Sequence, residues 1–236
     1  MSIQASPVGH PVHLMSGFVV QTPFAVDVVP RFEQSGGRVQ LEWNPTSVIV
    51  LDIAAGKRAD ALLVTREAMD TLVEQGIVEA STRVELLRSN LGIAVRRGAA
   101  HPTIPDVDQF REALLNAKSV AYSTGGASGI YFGKLIAQWG IAAQIDARAT
   151  VIKDGLAAEK LLTGEADLAV QQISELLTVE GIEIVGPFPP GAQKALSFSA
   201  ACFAGTQNLA EARRFIAHIN DGAARETYRR YGLDPV

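Results

Sequence analysis

Small polar residues directly follow several apolar, strand-like runs of the sequence, where they could hold a small anion. The clearest case is AYSTGGASGIYFGKL at residues 121–135, which includes Ser128 and Gly129 and leads into an amphipathic stretch. Its glycines leave backbone N–H groups accessible, and the N-terminus of a helix favours negative charge. We therefore expect an anion-binding loop here, although a simple turn between strand and helix would have a similar composition.

Four other places share this position after a predicted strand and carry mostly neutral hydrogen-bond donors. They are Ser16 with Gly17, Thr46 with Ser47, Thr65 with Arg66, and Gln171 with Gln172. Because side chains alternate along a strand, we expect at most one of the two glutamines to face a ligand. Arg66 is the exception among the neutral donors, since a guanidinium can hold a carboxylate through two parallel hydrogen bonds.

Alternating strands and helices must position these residues. Three strand–helix units precede residue 77, which favours a parallel α/β sheet. The alternation of strands and helices stops at residues 83–98, which predict two strands and no clear helix. A second α/β series follows. We therefore predict an α/β protein of two lobes, residues 1–95 plus 198–236 and residues 96–197, with crossover strands near residues 94–97 and 194–199. Ligands of open α/β sheets bind beyond the carboxyl ends of the strands, which places the site in the cleft between the lobes.

Composition limits the classes of partner. The 236 residues are 47% hydrophobic and 19% charged, with a net charge of −4 and no basic stripe, so we expect no nucleic-acid partner. No apolar run approaches the ~20 residues of a membrane span, so no membrane insertion is expected. Cys202 is the single cysteine and the four histidines are scattered, and no nucleotide-binding motif is present. We therefore expect neither a metal nor a cofactor.

The first 18 residues, MSIQASPVGHPVHLMSGF, lack an early cation and are interrupted by two prolines and a glycine. A secretory signal peptide has an early cation followed by an uninterrupted apolar run. The sequence as written therefore predicts a cytoplasmic protein, or a periplasmic one if a signal peptide has been removed.

Several longer stretches together resemble a known family. They are ADALLVTREAMDTLVEQGIV, STRVELLRSNLGIAVRRGA, KSVAYSTGGASGIYFGKLIAQWGI, LLTGEADLAVQQISELLTVEGIEIVGPFP and RRYGLDP. The chain resembles the type II periplasmic solute-binding fold over about residues 13–235, and within it the molybdate-binding-protein-like branch, which includes aconitate-isomerase-like members. The resemblance implies an oxyanion held between two lobes by hydroxyls and backbone amides, here at Ser16, Ser47, Thr65, Ser128 and Gly129.

Two departures from the molybdate-binding pattern indicate an organic carboxylate as the ligand. The last site of the family usually carries a tyrosine, where this sequence has VQQIS, and Arg66 adds a guanidinium. Two functions then stay open. One is a solute-binding protein that closes around the anion and serves an ABC transporter in the membrane. The other is a cytoplasmic isomerase of unsaturated carboxylates, in which Tyr131, Glu67 or a water oriented by a glutamine would move the proton, with no catalytic residue assigned.

Overall fold

A computed structural model describes residues 10–153 and 155–236 as a mixed α/β fold with two sheets. The strands of the described chain are β1 Val12–Ser16, β2 Val39–Trp43, β3 Ala61–Thr65, β4 Val84–Ser89, β5 Leu91–Arg96, β6 Val120–Ser123, β7 Thr150–Ile152, β8 Leu168–Gln172, β9 Ile182–Pro187, β10 Leu196–Cys202 and β11 Leu233–Pro235. The α-helices are α1 Gln21–Pro23, α2 Val29–Gln34, α3 Thr46–Ala54, α4 Arg66–Glu74, α5 Val107–Asn116, α6 Ala127–Gln138, α7 Ala142–Asp146, α8 Glu159–Leu162, α9 Ile173–Leu176, α10 Leu209–Ile219 and α11 Gly222–Arg230.

Each sheet forms the centre of one lobe. The first has the strand order β11-β4-β10-β3-β1-β2, with β1 parallel to β2 and β3, and β10 antiparallel to β3 and β4. The second has the order β7-β6-β8-β5-β9, with β6 parallel to β7 and β8, and β5 antiparallel to β8 and β9. The predicted two-lobed α/β fold is confirmed.

Both faces of the central strands are covered, which explains their continuous apolar sequences. In β3, the first four residues of ALLVT are fully buried, as expected for a strand with packing on both sides. Aromatic side chains fill the space between sheet and helices. Phe32 packs against Phe215 in the first lobe, and Phe110 packs against Phe188 in the second, with ring centroids 4.9 Å and 4.7 Å apart.

The helical region after β1 is interrupted and contains Pro23 and Pro30. A 3-10 turn at Phe18–Val20 leads into α1, which ends at Pro23, and a π-helical stretch at Phe24–Val28 precedes α2. Pro30 lies in the first turn of α2, directly after the π-helical stretch, so the change in the helical hydrogen-bonding pattern falls where the proline has no N–H to donate. The 3-10 turn lies directly beside the cleft, so this irregular start shapes one wall of the site.

The chain crosses between the sheets at positions that differ from the prediction. It leaves the first sheet after Ser89 and enters the second at Leu91, and it returns between Pro187 and Leu196. Most of the predicted first crossing at residues 94–97 lies inside β5, and most of the predicted second crossing lies in β10 of the first sheet. The reason is that LGIAV is continuously buried in the second sheet, so its composition gives no sign of where the crossing falls. The predicted lobe boundaries themselves remain a prediction.

Three short elements were absent from the sequence prediction. These are α7, α9 and β11, each of three to five residues. Such lengths are too short to produce a recognisable hydrophobic period. Of the three, α9 matters for function because it begins directly after Gln172, at the end of β8.

The side chain of Gln193 ties the two crossings together. Its Oε1 accepts a hydrogen bond from the Leu91 N–H at 3.1 Å, and its Nε2 donates to the Leu91 carbonyl at 2.8 Å. We expect Gln193→Ala to lower the free energy of unfolding by ~1–3 kcal/mol, because a buried N–H loses its partner. Urea unfolding measures this.

Gln207→Ala is the matched control, since that exposed amide donates to the carbonyl of Gly205, two residues away. A loss in Gln193→Ala no larger than in Gln207→Ala would show that the two hydrogen bonds to Leu91 do not stabilise the crossing.

Candidate functional site

A small cleft of about 30 Å³ lies between the lobes, with room for about two water molecules. The first lobe lines it with Gly17, Phe18, Val19, Pro45, Thr46 and Phe198, and the second with Ser123, Gly126, Ala127, Ser128, Gly155, Gln171, Gln172 and Glu175. The lobes therefore approach closely, and any organic ligand requires them to separate before it enters.

On the first-lobe side, Gly17 and Thr46 reach the cleft, whereas Ser16 and Thr65 lie behind it. The hydroxyl of Ser16 is fully buried and donates to the carbonyl of Gly17 at 3.0 Å. The N–H of Thr65 donates to Oγ1 of Thr46 at 3.4 Å, which orients that side chain at the start of α3. Two of these four predicted residues line the cleft, and the other two support them.

On the second-lobe side, the loop at residues 123–129 forms the entry to α6. Oγ of Ser123 accepts hydrogen bonds from the N–H groups of Gly125 and Gly126, at 3.2 and 3.0 Å. This arrangement brings Ser128, which is 3% exposed in the first turn of α6, to the cleft. The predicted anion loop is thus positioned with a hydroxyl and a helix N-terminus toward the cleft.

Gly129 has a packing role in this structure. A Cβ atom at this position would lie 1.5 Å from the carbonyl oxygen of Ser123, which no side chain tolerates. The glycine therefore lets the first turn of α6 pack against the end of β6. It does not itself line the cleft, in contrast to the prediction from the sequence.

Ser47 connects the lobes. Its exposed hydroxyl, at the start of α3 in the first lobe, donates to the carbonyl of Gly125 in the second lobe at 2.8 Å. Gly125 lies so close to the Lys153 carbonyl that a Cβ atom there would be 2.4 Å from its oxygen, so only glycine fits at this position. The hydroxyl predicted to bind the ligand is thus engaged in an interlobe hydrogen bond.

Arg66 and the proposed proton carriers lie outside the cleft. Arg66 and Glu67 are exposed at the start of α4, and neither belongs to the cleft lining. The hydroxyl of Tyr131 donates to the carbonyl of Ala192 at 2.8 Å, on the return crossing. Although β3 ends near the cleft, the first turn of α4 places Arg66 at the surface. This position gives no support to the prediction that Arg66 binds a carboxylate through two hydrogen bonds.

Gln171 and Gln172 both line the cleft, which corrects the expectation that only one would. Strand alternation ends at Gln172, because its backbone caps α9 with φ −63° and ψ 140°. Gln171 is engaged at both ends, accepting from the Ala157 N–H at 2.9 Å and donating to the Gly155 carbonyl at 3.2 Å. Gln172 donates through Nε2 to Oε1 of Glu175 at 2.8 Å.

Glu175 is a candidate functional residue that sequence reasoning missed. It is 7% exposed on α9, and it is the one ionisable side chain in the described cleft lining. Burial raises the pKa of its carboxyl group to about 7, although hydrogen bonds from Gln171 and Gln172 act to lower it. Glu175 occupies the third position of α9, as the Glu of a capping box does, but the N-cap residue Gln172 is not the Ser or Thr of that motif and makes no capping hydrogen bond, so the local sequence gave no clear signal.

The described residues include neither a membrane-spanning helix nor a metal-binding cluster. None of their helices is long and apolar enough to cross a bilayer. Within the same part of the chain, no three His, Cys, Asp or Glu side chains converge as a metal site would require.

Comparison with known proteins gives the family. The sequence model described as "Bacterial extracellular solute-binding protein" matches residues 17–234. The chain belongs to this family. The solute-binding fold is supported independently by the periplasmic molybdate-binding protein of Azotobacter vinelandii, with a TM-score of 0.77 at 16% identity, covering 94% of this chain and 98% of that one.

Two characterised relatives of this solute-binding family member carry different names. An aconitate isomerase from Pseudomonas sp. is 33% identical, covering 99% of this chain and 91% of that protein. The molybdate-binding protein ModA of Escherichia coli K12 is 23% identical, covering 88% of this chain and 82% of that protein. The resemblance to a molybdate-binding-protein-like branch is confirmed, and the family binds small anions.

The raised pKa of Glu175 predicts a pH-dependent stability. The native protein keeps this proton up to about pH 7, whereas the unfolded chain loses it near pH 4.3. Stability from this group is therefore present below pH 4 and falls as pH rises to 7, by ~3 kcal/mol. We expect Glu175→Gln to be more stable than wild type at pH 8 and to match it near pH 4.

Urea unfolding across this pH range measures the difference between the two proteins. Glu180→Gln, at an exposed position in the loop after α9, is the control and should track wild type at every pH. A constant difference between Glu175→Gln and wild type from pH 4 to 8 would contradict the burial argument.

Proposed function

We propose that this protein binds a small unsaturated carboxylate between its lobes and isomerises it by moving a proton through Glu175. The observation that carries the proposal is the position of Glu175, buried in the cleft with its carboxyl pKa raised to about 7. A general base works best when its pKa lies near the working pH, because it is then both available and basic enough.

The reaction needs only one carboxyl group to hold the proton. The carboxylate of Glu175 takes a proton from a substrate carbon beside the double bond, so a C–H bond breaks and an O–H bond forms. The double bond shifts by one position, and the same proton returns to the far carbon. No oxidant, metal or second substrate enters this balance.

Neutral donors in the cleft would stabilise the charge that develops on the substrate. When the proton leaves, negative charge spreads onto the neighbouring substrate carboxylate. Thr46 and Ser128 lie at the N-termini of α3 and α6, and both face the cleft. Hydroxyls and helix N-termini that are already fixed in place stabilise such charge without reorganising.

The relatives support this function. The isomerase relative covers almost the whole of both chains at 33% identity, whereas the molybdate-binding relative is 23% identical over less of each. The case for a carboxylate therefore rests on Glu175 and on this relative, and no longer on Arg66.

A transport receptor is the second candidate, and the solute-binding family favours it. In that case Glu175 serves as the capping residue of α9, the neutral donors hold the anion, and an ABC transporter recognises the closed lobes. A receptor would act in the periplasm, whereas the isomerase is proposed to act in the cytoplasm. Turnover distinguishes the two functions, because both require binding.

Glu175→Gln tests the proposed proton carrier with cis- and trans-aconitate as substrates. We expect kcat to fall by ~100-fold or more, because proton transfer by a positioned group contributes about that much. Binding should change by only a few fold, since the amide keeps the shape of the carboxyl group. Proton NMR of the two isomers follows turnover, and calorimetric titration follows binding.

The exposed substitution Glu180→Gln should leave both quantities unchanged. If wild type binds aconitate or smaller unsaturated carboxylates and interconverts none of them, the isomerase is excluded and the receptor stands. Undiminished turnover in Glu175→Gln would assign the proton to another group.

The pH dependence of kcat provides a second test. Because Glu175 must be ionised to take a proton, kcat should rise about tenfold per pH unit below the midpoint of Glu175 in the complex and level off above it. Steady-state kinetics from pH 5.5 to 9 measure the profile, and Glu175→Asp should retain activity with a displaced midpoint. A profile that is flat across pH 7 would contradict the role of Glu175.

A further inference from the structure

The amide of Gln172 is satisfied at only one end. Nε2 donates to Oε1 of Glu175 at 2.8 Å, whereas the amide Oε1 is buried and has no hydrogen-bond partner in the described chain. Gln172 is 4% exposed and lines the cleft. A buried amide oxygen without a partner is rare, because it has lost its hydrogen bonds to water and forms none within the protein.

We propose that Gln172 is a ligand-selecting residue of the cleft, and that the proton on Glu175 decides whether its amide offers the ligand an acceptor or a donor. The inference rests on the anion-binding part of the proposed function and does not require the isomerisation.

The two states follow from the hydrogen-bonding rules of the two groups. An ionised carboxylate only accepts, so Gln172 must turn Nε2 toward Glu175, which leaves its oxygen as the end available to a ligand. That oxygen repels an anion. A protonated carboxyl group donates, so the amide can rotate by half a turn, accept the O–H of Glu175 through Oε1 and offer its two N–H groups to the cleft.

Anion binding should therefore take up one proton. An anion binds best to the state in which Glu175 is protonated and the NH₂ group of Gln172 faces the cleft. Above the midpoint of Glu175, each pH unit removes nine-tenths of this state, so the dissociation constant should rise about tenfold per unit. Turnover and binding then depend on pH in opposite directions, because the base must be ionised and the donor needs the proton.

Charged groups on the neighbouring elements lie away from this pair. Arg96 and Glu183 lie at the far ends of β5 and β9, whereas Gln172 pairs with Leu91 at the near end of β5. Asp234 of β11 accepts a hydrogen bond from Nδ2 of Asn90. β8 and the turn at Phe18–Val20 carry no ionisable side chain, and Lys153, two residues before Gly155 of the cleft lining, is not among the groups that shift the pKa of Glu175. The groups that act on the Glu175 carboxyl are the two glutamines.

Side-chain NMR of the ligand-free protein tests the amide directly. The NH₂ signals of Gln172 should shift with the same midpoint as the carboxyl carbon of Glu175, and this shift should vanish in Glu175→Gln. The NH₂ group of Gln193, whose amide is engaged at both ends by Leu91, is the internal control. A Gln172 signal that does not titrate, or that still titrates in Glu175→Gln, overturns the inference.

Calorimetry with a saturated tricarboxylate, tricarballylate, tests the proton uptake. This compound has no double bond to move, and it is fully ionised at pH 8. Titrations in two buffers of different ionisation enthalpy should show uptake of close to one proton by wild type and none by Glu175→Gln. Gln172→Met should weaken binding at least tenfold at pH 6, where the donor is presented, and much less at pH 9.

Binding without proton uptake overturns this inference and leaves the proposed function intact. No binding of tricarballylate, aconitate, sulfate or molybdate overturns the proposed function, and the NMR titration still decides the state of the Gln172 amide.

Discussion

The hydrogen bonds of Leu91 hold the two lobes in the arrangement on which the site depends. At the crossing, Leu91 has left one sheet and begun another, and its N–H and carbonyl are bound by the side chain of Gln193 and the N–H of Phe188. The carbonyl of its neighbour Asn90 accepts from the N–H of Ile173, the first residue of α9. Glu175 therefore lies two residues after Ile173, which is hydrogen-bonded to the crossing. A movement of the lobes about this point would change the position of α9.

This connection makes the chemistry of Glu175 depend on the closing of the lobes. Part of the burial of Glu175 comes from the first lobe, where Phe18, Val19 and Phe198 line the same small cleft. Desolvation is the largest cause of the raised pKa, so separating the lobes would rehydrate the carboxyl group and return its pKa toward 4.5. A proton carrier of this kind is basic at neutral pH only when the lobes are closed, which limits the chemistry to a sequestered ligand.

The sequence contained enough information to predict where chains turn, but not where side chains point. Strand ends followed by small polar residues pointed to Gly17, Thr46 and Ser128, and these residues line the cleft because parallel strands bring their carboxyl ends to one edge. Arg66 follows a strand in the same way, yet the first turn of α4 carries it to solvent. Glu175 was missed because α9 is four residues long and part of the burial of Glu175 comes from the other lobe, which no local pattern records.

The absence of a cation from the described cleft lining explains why one carboxyl group can serve in an anion site. An Arg or Lys within about 4–6 Å would lower the pKa of Glu175 by ~1–3 units and make it a poor base at neutral pH. Neutral donors such as Thr46 and Ser128 can hold an anion without that effect. Relocating a charge such as that of Arg66 into the cleft would strengthen binding and weaken proton transfer together. The proposed binding site and base can therefore share this small space, because dipoles would hold the ligand and the carboxyl group keeps the proton affinity that burial gives it.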